Sequence, residues 1–322
     1  MIWVKEDDYS EMMTGTVEPA LAAIRREVYL PVQGGKLHVE VYEPDKAHAA
    51  LLLLHGYTES AEKFREMIWY FTQAGFAVYA PDQRGHGHSV RLSEDTSLTD
   101  VEHFKDYVDD AEEILDKLIQ PNKTGLRSVL FGHSMGGAVA GFLLMRRPEA
   151  FSAAVLSSPM IAPSSAPVPN WAVGAITGCM SFLGKGKERA FIGKPFDAEA
   201  ETFENSCATS RERYAYYAQK RAGHRHLQNC SPSYRWAREA VGVTRGLLNR
   251  QNLARIQTPV LLFQGKKDTI VLLPEQKRFA DGVGQGRLVQ CDAKHEIYFS
   301  EDAVLRPYVT EVLEFLSQNR PK

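Results

Sequence analysis

A serine set between two glycines, Gly132-His133-Ser134-Met135-Gly136, is the first place in this chain where residue types and spacing have a chemical use. An apolar run, Ser128 to Gly132, leads into it and another, Ala138 to Met145, leads away. G-x-S-x-G between a strand and a helix is the setting of a nucleophile held on a strained turn, where neighbours without side chains let the two backbones approach. A glycine-rich turn with an incidental serine is the competing reading, and the two glycines together with their flanks count against it. A serine hydroxyl attacks an acyl carbon only when a base takes its proton and an acid orients that base. Asp268, in QGKKDTIV, and His295, in DAKHEIYF, follow in the order serine, acid, histidine, and each lies just past an apolar run. Alone, Asp268 reads as a turn residue and His295 as a structural hydrogen bonder. Order and placement favour a shared catalytic role, with Asp292 the nearest competing acid.

The oxyanion of such a reaction needs two N–H donors. Met135 N–H follows from the helix start, and Tyr57 N–H, in the loop His55 to Ser60, is the expected second; His55 reads as structural. His86-x-His88 has no third ligand at metal spacing, and His224-x-His226 with Cys230 is equally weak, so no metal and no cofactor is expected.

These residues need a frame that brings strand ends together. Arg25 to Pro44 holds two alternating runs joined at Gly34-Gly35, a hairpin signal. Short apolar runs at Ala49–Leu54, Phe76–Ala80, Ser128–Gly132 and Ser152–Leu156 then alternate with helical patterns, as do Pro259–Gln264 and Arg287–Cys291, which predicts a mostly parallel sheet. Phe64, Met67, Ile68 and Phe71 mark one helix, stopped at Gly75. Val101 to Leu118 marks another, five turns long behind the caps Thr99 and Asp100. Tyr308 to Leu316 marks a closing helix. From about Ile161 to Arg255 the rhythm breaks into proline-punctuated helices with no obvious strand. The fold class is therefore α/β, with core 1–160 and 256–322 and a helical cap, 161–255, inserted between them.

Composition narrows the function classes. With 44% hydrophobic and 24% charged residues, the chain is an ordinary globular protein, not a disordered or fibrous one. A net charge of -2 gives no electrostatic case for nucleic acid as a partner. No apolar run approaches the roughly 20 residues of a membrane span. The acidic N-terminus is unlike a secretory signal. Four cysteines without CxxC spacing fit free thiols, so a cytoplasmic location is expected.

The motifs HGYTES, DQRGHGHS, GHSMGG, GKKDTIV and KHEIYF together resemble the α/β-hydrolase family, in the branch of monoacylglycerol lipases and bacterial lysophospholipase L2; VEHFKDYVDD and SPSYRWAREA are similar to the latter type. The resemblance spans nearly the whole chain. It implies an α/β-hydrolase fold and a serine hydrolase with Ser134 as nucleophile, Asp268 as acid and His295 as base. The implied substrate is a single-chain acyl ester of glycerol or glycerophosphate. A small-substrate esterase, thioesterase or peptidase shares the same residues, and a non-hydrolytic receptor shares the fold. A dehalogenase or epoxide hydrolase needs a carboxylate where Ser134 stands.

Between Lys185 and Ala240 eleven Lys or Arg face seven acids, an excess of four. Two readings stand: a basic surface, with Arg211, Arg213 and Arg235, that attracts lipid phosphates or the inner membrane face, or a solvated helical surface. Trp171 to Leu183 likewise reads as an acyl-binding or lipid-contacting segment, or as plain cap core.

Overall fold

Gly34 takes φ +86° and the chain reverses there, so that β1 (Arg25–Val32) and β2 (Gly35–Tyr42) pair antiparallel with Val32 opposite Gly35. The computed structural model describes residues 1–121, 128–191 and 193–319. Ahead of the hairpin lie two short helices with no counterpart in the sequence reading, α1 (Tyr9–Met12) and α2 (Glu18–Ile24).

Behind it come β3 (Ala49–Leu54), α3 (Arg65–Gln73) and β4 (Phe76–Pro81), then a two-residue β5 (Leu98–Thr99) and α4 (Lys105–Ile114). β6 (Ser128–His133), α5 (Met135–Arg146) and β7 (Phe151–Ser157) follow. Between β7 and the next sheet strand the chain builds α6 (Asn170–Phe182), α7 (Arg211–Gly223), β8 (Ser231–Pro232), α8 (Tyr234–Leu247) and α9 (Arg250–Leu253). It returns through β9 (Val260–Gly265), α10 (Leu273–Gly282), β10 (Gly286–Cys291) and α11 (Asp302–Gln318).

The eight-stranded sheet runs β1-β2-β4-β3-β6-β7-β9-β10, antiparallel at β1/β2 and β2/β4 and parallel elsewhere. This is the α/β-hydrolase fold. β3 shows why its strands read as unbroken apolar runs: Ala50, Leu52 and Leu54 enter one core cluster, and Ala49, Leu51 and Leu53 enter the other. Side chains alternate, but both faces are covered. One cluster takes in α4, α5 and α8, the other α3, α11 and the N-terminal helices.

Two expectations are corrected. The helix expected from Val101 begins at Lys105 and ends in a π-helical turn, Leu115–Ile119. Thr99 and Asp100 do not cap it. Thr99 belongs to β5, which pairs with β8, while the Asp100 carboxylate receives Ser233 Oγ at 2.7 Å and the Arg235 guanidinium. A residue suited to capping was claimed by partners more than 130 positions away. β8 is also the strand that the proline-rich stretch had not suggested. Among the described residues no helix is long and apolar enough to cross a membrane.

Candidate active site

Ser134 caps the N-terminus of α5 at φ +51° and ψ -117°, a conformation rare for any residue with a Cβ. The glycines make room for it. A Cβ on Gly136 would stand 2.2 Å from Leu54 O, and one on Gly132 2.7 Å from Gly136 O. The turn thus lies against the end of β3, and Ser134 Oγ points to the strand-end side of the sheet, where the loops after β9 and β10 arrive.

His295 Nε2 is 2.8 Å from Ser134 Oγ, and His295 Nδ1 is 2.7 Å from Asp268 Oδ2. Asp268 is held in turn: its Oδ1 accepts the N–H of Ile270 at 2.8 Å and of Val271 at 3.3 Å. Gly265, where β9 ends, lies so close to Lys294 that a Cβ would approach its carbonyl to 2.3 Å, which brings the Asp268 and His295 loops together. With Nδ1–H donated to the carboxylate, Nε2 is left to accept the serine proton. All three side chains are buried. The competing acid, Asp292, lies at the surface, paired with Lys267 at 2.9 Å.

Neighbouring histidines are occupied elsewhere. His133 Nδ1 lies 3.1 Å from Ser157 O, and burial pushes its pKa down to about 3, so it stands beside His295 as a neutral ring. His86, also pushed down to about 3 by burial, receives Thr58 N–H at Nε2. His55 Nε2 receives Gln83 N–H at 2.8 Å, which ties the loops after β3 and β4.

Sequence reasoning overlooked Glu59. Its carboxylate receives Gly56 N–H at 2.6 Å, Lys63 Nζ at 3.1 Å and the Tyr298 hydroxyl, and Lys63 reaches on to Glu296 at 2.6 Å. This buried chain joins the loop that carries Tyr57 to the loop that carries His295. Burial works against ionisation of Glu59, but Lys63 and the hydrogen bond from the Tyr298 hydroxyl hold its carboxyl down at about 2. The available signal was the Glu59 to Lys63 spacing of four.

Ser134 opens on a cavity of about 1000 Å³. Tyr57, Met160 and Trp236 surround its base, Val173, Ala237, Ala240, Val241 and Ile270 form apolar walls, and Lys194, Asp197 and Glu201 are its charged lining. Tyr57 stacks on Trp236 at 4.1 Å, and Trp236 Nε1 donates to Tyr107 Oη at 3.0 Å.

The structure does not bring the four expected substrate contacts to this cavity. Arg213 is wholly buried and bidentate on Glu66, with Asp302 at 2.9 Å. Arg235 is bidentate on Asp100. Arg211 lies at the surface, 3.0 Å from Glu204 and over the Phe203 ring. Trp171 is 77% exposed, and none of the four lines the cavity. The charges of Arg213 and Arg235 are taken by acids outside the segment between β7 and β9, Glu66, Asp302 and Asp100, whereas Arg211 pairs within it.

A family model described as serine aminopeptidase, S33 (Hydrolase_4) matches residues 45–302. Lysophospholipase L2 of Escherichia coli K12 is 31% identical over 288 residues, covering 84% of this chain and 80% of that protein. Monoacylglycerol lipase of Mycolicibacterium smegmatis is 34% identical over 131 residues, 40% of this chain and 45% of that one. A carboxyl esterase of Bacillus coagulans superposes with a TM-score of 0.74 at 18% identity, covering 91% and 98% of the two chains, a likeness of fold.

Proposed function

This chain belongs to the Hydrolase_4 family of α/β-hydrolases, and from that premise we propose that it is a serine hydrolase cleaving carboxylic esters of single-chain lipids, lysophospholipids or monoacylglycerols. The observation that carries the reading is the Asp268–His295–Ser134 relay opening on a largely apolar cavity.

In this mechanism His295 Nε2 takes the Ser134 proton as Oγ attacks the ester carbonyl, while Asp268 holds the imidazolium. The N–H groups of Tyr57 and Met135 receive the oxyanion. Met135 is the first residue of α5, so its N–H and the helix dipole both favour negative charge there. Collapse of the tetrahedral intermediate expels the glycerol-bearing alcohol, which takes the proton from His295. Water, activated by the same ring, then releases the fatty acid from Ser134.

Residues 161–255 act as the cap. Val173, Trp236, Ala237 and Ala240 on it face the cavity above the strand ends. A cavity of this size lies at the upper end of the range for enclosing one small ligand. A second or third chain stays in water at about 0.8 kcal/mol per CH₂. The exposed Trp171, Phe182 and Leu183 of the α6 region, followed by Lys185 and Lys187, suit contact with an anionic membrane surface.

The test is labelling with a fluorophosphonate, followed by a panel of lysophospholipids, monoacylglycerols, triacylglycerols and 4-nitrophenyl esters. Labelling at Ser134 with turnover of the single-chain lipids is expected. Efficient triacylglycerol hydrolysis would overturn the single-chain pocket, and absent labelling would overturn the nucleophile.

A further inference from the structure

A second cavity, of about 420 Å³, lies between the β1–β2 hairpin and the end of α7. Its chemistry is unlike that of the first. Acidic side chains and imidazoles line it together with Arg25 and Lys220, and two of its buried side chains, His38 of β2 and Ser60, have incomplete bonding. His38 is 3% exposed, its Nδ1 lies 2.9 Å from Asp82 Oδ2, and its Nε2 has no hydrogen-bond partner. A buried ring nitrogen without a partner is costly unless something occupies its lone pair.

The hairpin register supplies a second group. Glu27 pairs with Glu40 and Tyr29 with His38, so Glu27 and His38 are diagonal neighbours on one face. Glu27 Oε2 stands 3.6 Å from His38 Nε2. That is beyond a hydrogen bond. Two ligands each about 2.1 Å from a tetrahedral ion stand roughly 3.4 Å apart. Ligand atoms of Glu27, His38 and Glu40 all lie within 4.8 Å of one another.

We propose that His38 Nε2 and the Glu27 carboxylate bind a borderline divalent cation of the Zn²⁺ type, with Asp82 orienting the imidazole from behind. A carboxylate on the far ring nitrogen fixes the tautomer and makes the ligating nitrogen more basic, as metal-bound histidines require. Glu40 contributes charge and not a ligand. Its oxygens already accept Arg65 at 2.6 and 2.8 Å, Arg25 at 3.1 Å and the Tyr42 hydroxyl at 2.7 Å. The field favours a cation: burial opposes protonation of His38, yet Asp82, Glu40 and Glu27 raise its pKa.

Arg25 is the resident competitor, because its guanidinium spans Glu40 and, at 3.2 Å, Glu27. An incoming ion displaces it from Glu27 only. His88, edge-on to His38 with ring centroids 5.2 Å apart, and His226, stacked on His88 at 3.9 Å, border the same space. Burial and His88 push the His226 pKa down to about 4, so it adds no positive charge to that space. Asp82 also accepts the N–H groups of Ala61 and His88. A bound ion therefore braces the hairpin against the loops after β3 and β4 without touching Ser134.

The test uses the full chain, freed of metal with a chelator and titrated with Zn²⁺ at pH 8, where protons compete least. Calorimetry should show one saturable site with a dissociation constant below about 100 µM, and Zn²⁺ should raise the melting temperature. Co²⁺ should give the visible absorption of a nitrogen and oxygen site of low coordination number. Glu27→Gln, a change at an exposed side chain, should weaken Zn²⁺ binding about tenfold or more with an unchanged metal-free melt. His38→Gln should abolish binding, and Arg25→Ala should tighten it. Absence of saturable binding in the native chain would overturn the proposal. So would binding that survives Glu27→Gln and falls with His224→Ala or His226→Ala.

Discussion

Ser134 and His295 stand 161 positions apart in the chain and meet at 2.8 Å; Arg213 and Glu66 stand 147 apart and meet at 2.9 Å. The first meeting sets a histidine against a serine at the ends of the sheet strands, the second is a buried brace between α7 and α3. Long-range convergence of polar side chains is common to both regions. In the core, a parallel sheet with strands about 4.8 Å apart delivers loop residues to one edge. Between β7 and β9, Arg213 and Arg235 go where α7 and α8 dock, and the acids waiting there decide their use.

The sharpest way to break this comparison is Ser134→Ala. Hydrolysis should fall by about 10⁶-fold with an unchanged thermal melt, because only the nucleophilic oxygen leaves a turn whose glycines remain. Near-native turnover would remove the core from the reactive side of the contrast. Asp268→Asn should cost about 10⁴-fold, since an amide neither stabilises the imidazolium nor holds the required tautomer. A loss under tenfold in steady-state kinetics would point to a different acid.

Arg213→Met tests the other region. It strands the buried Glu66 and should lower stability by about 3–5 kcal/mol in denaturant unfolding, with kcat/KM kept wherever the fold survives. If KM for a lysophospholipid rose while stability held, Arg213 would be a substrate contact after all.

Glu59→Gln separates positioning from chemistry through pH. The Glu59 carboxyl lies near 2 in the folded chain, against an ordinary 4.5. Its contribution to stability is therefore full above about pH 4.5 and is lost as pH falls toward 2. The variant should melt lower at neutral pH, and its melting temperature should decline less steeply across that acid window. An unaltered acid limb would show that Glu59 is not ionised in the fold. The smallest effect is expected from Arg211→Ala: an exposed pair with Glu204 is worth at most about 1 kcal/mol, and KM for lysophospholipids and monoacylglycerols should stay together in kinetics at any salt concentration. A rise confined to the phosphate-bearing substrates would restore a recognition role to that charge.

The hairpin turn at Gly34 and the strand runs were legible because two-residue alternation and doubly covered apolar strands leave local signatures. The Ser134 turn was legible because a strained turn demands glycines at fixed offsets from it, and the meeting of Asp268 and His295 with it because each follows a strand in the expected order. Asp100 was read as a helix cap and Arg235 as a substrate contact for one reason: both are locally plausible, and each is the other's partner across the chain.

Sequence by itself determined what must be satisfied within a few residues: alternation along strands, glycine beside Ser134, and the chain order of Ser134, Asp268 and His295. Only the tertiary structure decided the destination of each buried charge. Glu59 beneath Gly56, Arg213 on Glu66 and Asp100 on Arg235 are set by which elements pack together. A buried charge must find an opposite charge or a donor, and the chain folds past many candidates before one lies within about 3 Å.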